Sequence, residues 1–459
     1  MGLNDMHGEP VSTSDRHSLD RFEHASTLLS GFFADPLAVI DEALEEDPAF
    51  VMGHCMRAGL MLMAAEKSAQ PELRRSVEAA EALASAANDR ERGHTTAARA
   101  WLDGDFHRAA ELYGQVLLDH PRDLLALQIA HQIDFFTGNT AMLRDRPARV
   151  LPQWDNATPG YGYVLGMQAF GLEENNMFRR AEDMGRHAVE LTPRDPWAIH
   201  AVAHVMEMEG RLADGIRWLT SRVDDWAPDN MLAIHNWWHL ALYHLDHGQI
   251  DRTLDIYDRH ILPRPGGPAI ELVDATSMLW RLHLRGVDVG NRWGTVAERW
   301  EPMADDGYYA FNDMHAMMAF AAGGRDHAAR RLMAVLNRRA SAPGSNAVMT
   351  REVGLPVCAA IQAFADGDHD LAVDLLLPVR AISHRFGGSN AQRDVITLTL
   401  IEAALRGGQA KLARALTAER TDFKPSSPFN WTLAARALDG VGDASAAERA
   451  RQRSARLSA

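Results

Sequence analysis

A turn residue returns along this chain at a nearly constant interval, and that interval limits the fold more than any other feature. Gly104, Gly138, Asn176, Gly210, Gly248, Gly286, Gly324, Gly367, Gly408 and Gly442 are separated by 34, 38, 34, 38, 38, 38, 43, 41 and 34 residues. Between them almost every apolar segment has helical period, and strand signals are nearly absent. Such a spacing holds two antiparallel helices and the turn that joins them. A small residue follows the turn by about five positions at Ala109, Ala181, Gly215 and Ala372. An aromatic or leucine follows by about nine at Tyr113, Tyr257 and Leu219, and Pro121 and Pro193 close the second helix.

The unit from Ala100 to Pro121 is close to a tetratricopeptide repeat, in which the glycine takes the turn and the small residue lets the helices approach. One pair cannot bury its apolar face alone, so neighbours must stack. The expected fold is all-α: a tetratricopeptide-like helix-turn-helix repeat solenoid of roughly ten to twelve helix pairs, closed enough to enclose a cavity. Residues 1–17 are polar and read as a disordered tail, 18–450 as a single array, and 451–459 as a C-terminal tail. Irregular linkers fall at 147–160 and 262–268, the latter with Pro263, Pro265, Gly266 and Gly267.

The formal net charge is -15. A face that displaces counterions from nucleic acid must be basic, so the charge argues against a nucleic-acid partner and against an anionic membrane surface. No apolar run reaches 18 residues, the length a membrane-spanning helix needs, and the N-terminal residues lack the apolar core of a signal peptide. Cys55 and Cys358 stand far apart in apolar contexts, which suits free buried thiols of a reducing compartment. A cytoplasmic protein is expected. Repeat arrays often dimerise, so a homodimer stays open.

Uncommon polar residues gather on the first helices of consecutive repeats: His131 and Asp134; His200, His204 and Glu207; His235 and His239; Asp274 and Arg281; Asn312, Asp313 and His315. Convergence on one inner pocket would follow if the array curves. His200, His204 and Glu207 stand at i, i+4 and i+7, one stripe of a helix. Two imidazoles and a carboxylate suit zinc or another divalent metal, with His235 or Asp274 completing the shell. The stripe is not the His-Glu-x-x-His pattern of zinc peptidases, and three readings stay open: packing only, a metal-free ligand pocket, or a metal or catalytic centre. Trp237, Trp238 and Trp280 suit the gap between helix layers. Arg281 reads as an internal ion pair with Asp274 or as a clamp for a substrate carboxylate. Ser389 and Gln392 form a capping-box pattern; the alternative is an anion at that helix start, helped by Arg393.

The strings Gly166 to Glu174, Ala203 to Met208, His235 to His239, Tyr257 to Pro263, Phe311 to His315 and Gly387 to Asp394, in this order, resemble the tetratricopeptide repeat protein 38 family. The resemblance runs from about residue 20 to about 430. It implies an α-helical repeat fold and no established reaction. His200, His204, Glu207, His235, His239, Asp274, Arg281, Asn312, Asp313, His315 and Arg393 fall in the resembling region. His244 and His247 lie outside the shared pattern, and Trp237 stands where the family also has tyrosine, which suggests packing. Three functions fit: a scaffold holding a peptide or protein segment in a concave groove, an enzyme or small-molecule binder (metal-dependent or not) using the His/Glu/Asp cluster, or a structural role for the cluster with partners bound elsewhere.

Overall fold

The structure is a computed structural model that describes residues 2–262 and 266–458. Pro263 and Pro265 of the second expected linker lie outside the described residues. Among the described residues twelve helix pairs follow one another, from Arg16–Ser30 with Pro36–Glu46 to Pro428–Gly440 with Ala444–Ser458. The fold class is the expected one, a tetratricopeptide-like helical repeat.

The ladder residues explain how each pair forms. All ten have positive φ, from 58° at Asn176 to 88° at Gly104. In every case the next residue donates its N–H to the carbonyl five positions back: Asp105 to Ala100, Arg211 to Met206, Gln249 to His244, Gln409 to Ala404, and the rest alike. This 6→1 bond over a left-handed residue satisfies a carbonyl that the ending helix leaves orphaned, and it reverses the chain. The small residue then acts as expected at Gly215, where an added Cβ would lie 2.2 Å from the Tyr243 ring. Tyr243 passes over that glycine and donates its hydroxyl to the Ala203 carbonyl at 2.5 Å.

The chain divides into two compact units rather than the single array expected, because contacts in repeats are local. The first comprises 1–202, 224–233 and 343–348; the second comprises 203–223, 234–342 and 349–459. In the first unit the first helices Leu124–Phe136 and Tyr161–Glu174 are buried on nearly every side, while partners such as Phe178–Leu191 show one buried stripe. In the second unit Ala269–Leu284, Ala310–Ala322 and Asn390–Arg406 are buried all round in the same way. A helix buried all round is apolar on all faces, so every polar residue on it needs a partner inside the protein.

Two expectations about the termini are corrected. Residues 2–15 are not a disordered tail. Strands Leu3–Asn4 and Pro10–Val11 pair antiparallel, and the turn between them is buried through its carboxylates. Asp5 bridges Arg90 at 2.9 Å, and Arg90 in turn bridges Asp123 at 2.6 Å. Glu9 meets His120 at 2.7 Å, and Ser12 donates to Glu91. The polarity that reads as solvation is spent instead on partners within the first unit, the buried Arg90 among them. At the other end, 451–458 is no separate tail, since helix Ala444–Ser458 runs through those residues.

Gly248 has φ +80° and nothing within 4 Å of where a Cβ would sit, so Gly248→Ala isolates the cost of the left-handed turn. It is expected to lower the unfolding free energy by about 1–2 kcal/mol, read by chemical denaturation. An unchanged midpoint would remove the ladder's role in stability.

Candidate functional site in the second unit

Three imidazoles come together inside the second unit. His204 lies in helix Pro196–Met208, His235 and His239 in helix Ala233–Asp246. The four-residue spacing of His235 and His239 places their rings on one face, 4.8 Å apart, and His204 lies 4.4 Å from His239. One ring nitrogen of each lies within 4.8 Å of those of the other two. His204 and His239 are fully buried.

Carboxylates hold two of the three rings from behind. His235 Nδ1 lies 3.0 and 2.9 Å from the two oxygens of Asp274, and His239 Nδ1 lies 3.0 Å from Glu207 Oε2. A carboxylate oxygen accepts, so each Nδ1 carries the proton. Burial first, then the neighbouring His204, His235, Arg281 and Lys424, holds His239 well below the usual imidazole range. Its ring is therefore neutral, with Nε2 as the acceptor nitrogen. This pattern, Nδ1–H on a carboxylate and Nε2 presented, is how proteins orient histidine ligands to a metal.

The surroundings are ordered by the same helices. Trp238 stacks on His235 at 5.3 Å and 12°, and its indole donates to Ser277 Oγ at 2.9 Å. Arg281 lies over the Trp238 ring at 5.2 Å and donates to the carbonyls of Ser277 and Ala391. Both Asp274 oxygens face His235, and Arg281 is taken up by main-chain acceptors, tying helix Ala269–Leu284 to the start of helix Asn390–Arg406. Lys424, which the sequence does not single out, reaches within 3.9 Å of Glu207. It stands about 220 residues away in sequence, and no spacing pattern points to it.

The other sequence-derived residues are placed as follows. Glu207 of the His200/His204/Glu207 stripe supports His239, and the imidazoles that gather in this unit are His204, His235 and His239. His200 belongs to the first unit, where its ring lies against Phe170 at 5.5 Å and Trp197 at 5.0 Å. His131 and Asp134 are also in the first unit; Asp134 is held by Arg146 at 2.7 and 3.0 Å. Asn312, Asp313 and His315 share helix Ala310–Ala322. His315 donates Nδ1–H to the Phe311 carbonyl at 2.8 Å, and burial pushes it down to about 3. Burial pushes Asp313 up to about 8. Arg393 donates to Gly388 O and Asn390 Oδ1, locking its own turn. Both bonds of the Ser389–Gln392 capping box are made. Trp237 stacks on His260 at 3.8 Å, and His244 bonds Gln249, so neither joins the cluster.

No protein-family model matches this chain. A stretch of 109 residues, 24% of the chain, is 30% identical to the cellulose synthase operon protein C of Komagataeibacter sucrofermentans, and 114 residues are 30% identical to the cellulose synthase 1 operon protein C of Komagataeibacter xylinus. The matched stretch spans only 8% of either relative's length. Among solved structures, the human IFIT1 dimer with PPP-AAAA aligns over 97% of this chain and 96% of its own, at 13% identity and a TM-score of 0.43. The human IFIT1 dimer with m7Gppp-AAAA aligns over the same shares, at 14% identity and a TM-score of 0.35. The chain is a tetratricopeptide-like helical-repeat protein, an architecture that serves as a binding scaffold. Among the described residues no helix is long and apolar enough to cross a membrane.

The exclusion of nucleic acid drawn from net charge is corrected. Chains that align with nearly all of this one were solved with the nucleic-acid ligands PPP-AAAA and m7Gppp-AAAA. The physical reason is that counterion release depends on local charge. Residues 401–459 carry ten Lys and Arg against six Asp and Glu, inside a chain of net charge -15.

His315 supplies a pH test of how the inner helices are buried. Its folded value is about 3, against about 6.5 in the unfolded chain. Between those values the unfolded chain binds a proton that the folded chain does not, so acidification favours unfolding. From pH 7.5 to pH 5 the wild type is expected to lose roughly 2 kcal/mol more than His315→Gln, measured by urea denaturation at both pH values. Equal losses would mean that His315 is not buried neutral.

Proposed function

We propose that the second unit of this helical-repeat scaffold holds a divalent transition metal on His204, His235 and His239 and uses it to bind, and act on, a small molecule. The observation that carries the reading is the pair of carboxylates behind the rings, Asp274 on His235 Nδ1 and Glu207 on His239 Nδ1. Packing alone asks only that a buried imidazole be satisfied. Fixing Nδ1 as the donor on two neighbouring rings also leaves Nε2 as the acceptor on each, on rings 4.8 Å apart.

The donor set suits zinc or a metal of similar preference, because imidazole nitrogens are among the ligands such ions favour. A tetrahedral shell at ~2.1 Å puts nitrogens roughly 3.4 Å apart. The rings, with nitrogens within 4.8 Å of one another, need only close slightly around the ion. At any position left open, the ion would polarise a water or substrate oxygen and lower the pKa of bound water. Three neutral ligands leave the charge of the ion for the outer carboxylates and an anionic substrate group to balance. The resemblance to the tetratricopeptide repeat protein 38 family belongs to the same proposal, since its strings include His204, Glu207, His235 and His239. A cytoplasmic location, suggested by the buried thiols Cys55 and Cys358, belongs to it too.

The test is metal titration of untagged full-length chain with zinc(II) and cobalt(II), with elemental analysis of the purified protein. One ion per chain is expected, with tetrahedral cobalt absorption, lost in His204→Ala/His239→Ala. Glu207→Gln and Asp274→Asn should bind about 10- to 100-fold more weakly while remaining folded. Binding that these four changes leave untouched, or no stoichiometric binding, would sink the proposal.

A further inference from the structure

The first unit contains a small cavity that the metal centre does not use. Phe32, His131, Tyr163, Met167, Asp195 and Trp197 are among its walls, and its free volume is about 10 Å³, room for about one water-sized group. Its chemistry begins with the Asp195-Pro196 step. Asp195 caps the helix Pro196–Met208: its Oδ1 accepts the N–H groups of Trp197 at 2.9 Å and Ala198 at 3.1 Å. Its Oδ2 is buried and has no hydrogen-bond partner among the described residues. Trp197 Nε1 and both ring nitrogens of His131 are buried without partners in the same way. Burial raises the Asp195 carboxyl to about 7, and burial first, then the charge of Arg146, lowers His131 to about 3, leaving that ring neutral with an acceptor nitrogen. Native proteins seldom leave several buried polar atoms unmatched in one place, and such a set asks for a ligand or an ordered water.

An independent observation lies over the same cavity. Phe32 has φ +54°, the left-handed region that a bulky residue avoids, and its ring stacks on Trp197 at 5.5 Å and 15°. The segment 229–231 holds it there: Met231 N–H donates to the Phe32 carbonyl at 2.7 Å, Ala34 N–H to the Asp229 carbonyl at 3.0 Å, and Asn230 Nδ2 to the Gly31 carbonyl at 2.9 Å. Asp229 is itself left-handed, with φ +50°. Two strained non-glycine residues thus hold an aromatic ring in the cavity wall, and strain of this kind gathers at ligand clamps.

We propose that this cavity binds an ammonium group, either the free ion or the head of a small primary amine. The acceptors are Asp195 Oδ2 and one nitrogen of His131, and the faces of Phe32 and Trp197 attract a cation. A water would satisfy the hydrogen bonds but give the ionised form of Asp195, which burial disfavours, no counter-charge. A guanidinium is too large for the volume. Trp197 contributes the face of its indole to the cation, and its N–H takes no part in holding it.

The test uses the full chain, calorimetric titration and thermal unfolding, with ammonium chloride and ethylammonium chloride as probes and sodium and tetramethylammonium chloride as controls. One saturable site for a probe, absent for both controls, is expected. Asp195→Asn keeps the helix cap and loses the charge, so it should abolish binding. Phe32→Gly relieves the left-handed strain and removes the ring, so it should weaken binding at least tenfold even if Asp195→Asn does not fold. Binding by ammonium alone assigns the free ion; binding by ethylammonium, alone or with ammonium, assigns the head of an amine. No saturable binding by either probe, equal response to the controls, or wild-type affinity in both variants overturns the proposal.

Discussion

Every helix pair on the ladder depends on one local event: a left-handed residue that ends the first helix and lets the following N–H reach back five residues. The same bond recurs at ten positions, from Asp105–Ala100 to Asp443–Leu438. It removes an orphan carbonyl, sets the reversal and fixes how far the second helix starts from the first. Once those are set, small residues such as Gly215 decide how close the helices come, and first helices such as Leu124–Phe136 and Ala269–Leu284 are left buried on nearly every side.

That burial changes what a polar residue on those helices means. In water a histidine or glutamate costs little. On a helix closed on all sides it must find a partner or be neutral. The structure shows both answers. Asp134 takes Arg146, His235 takes Asp274 and His239 takes Glu207, while Asp313 and His315 are shifted toward their neutral forms by burial. These pairings join helices that lie 12 to about 40 residues apart in the chain, so they fix register as well as charge.

The fold is legible in the sequence because its signal is local and repeated. The ladder spacing gives the turns, and the apolar period gives the helices. The capping box at Ser389 and Gln392 can be read from four residues for the same reason. The site is legible only in part. His200, His204, His235 and His239 stand out as rare residue types. The sequence does not reveal that Glu207 turns to His239, since that depends on how the next pair is set. Lys424 and Asp195 escape for opposite reasons. Lys424 is far away in the chain, whereas Asp195 has the pattern of an ordinary helix cap. The N-terminal residues mislead because polarity suggests solvation unless a buried cation such as Arg90 is known to be waiting.

The histidines of the second unit differ from what a repeat needs at the same position. Helix Leu355–Ala365 occupies the same place in its pair as the helix of His235 and His239, and it is filled by Val357, Cys358, Ala360, Ile361 and Phe364. An apolar first helix therefore suffices to build a repeat in this same unit. Replacing a buried charged or hydrogen-bonded pair with well-packed apolar residues is often neutral or stabilising. Stability alone gives no reason for two His–carboxylate pairs and a third imidazole to stand together where leucine and alanine would do. Packing can account for one such pair as a device for register. It does not account for two that turn the same edge of their rings, Nδ1, to a carboxylate while their ring nitrogens stay within 4.8 Å of each other and of His204.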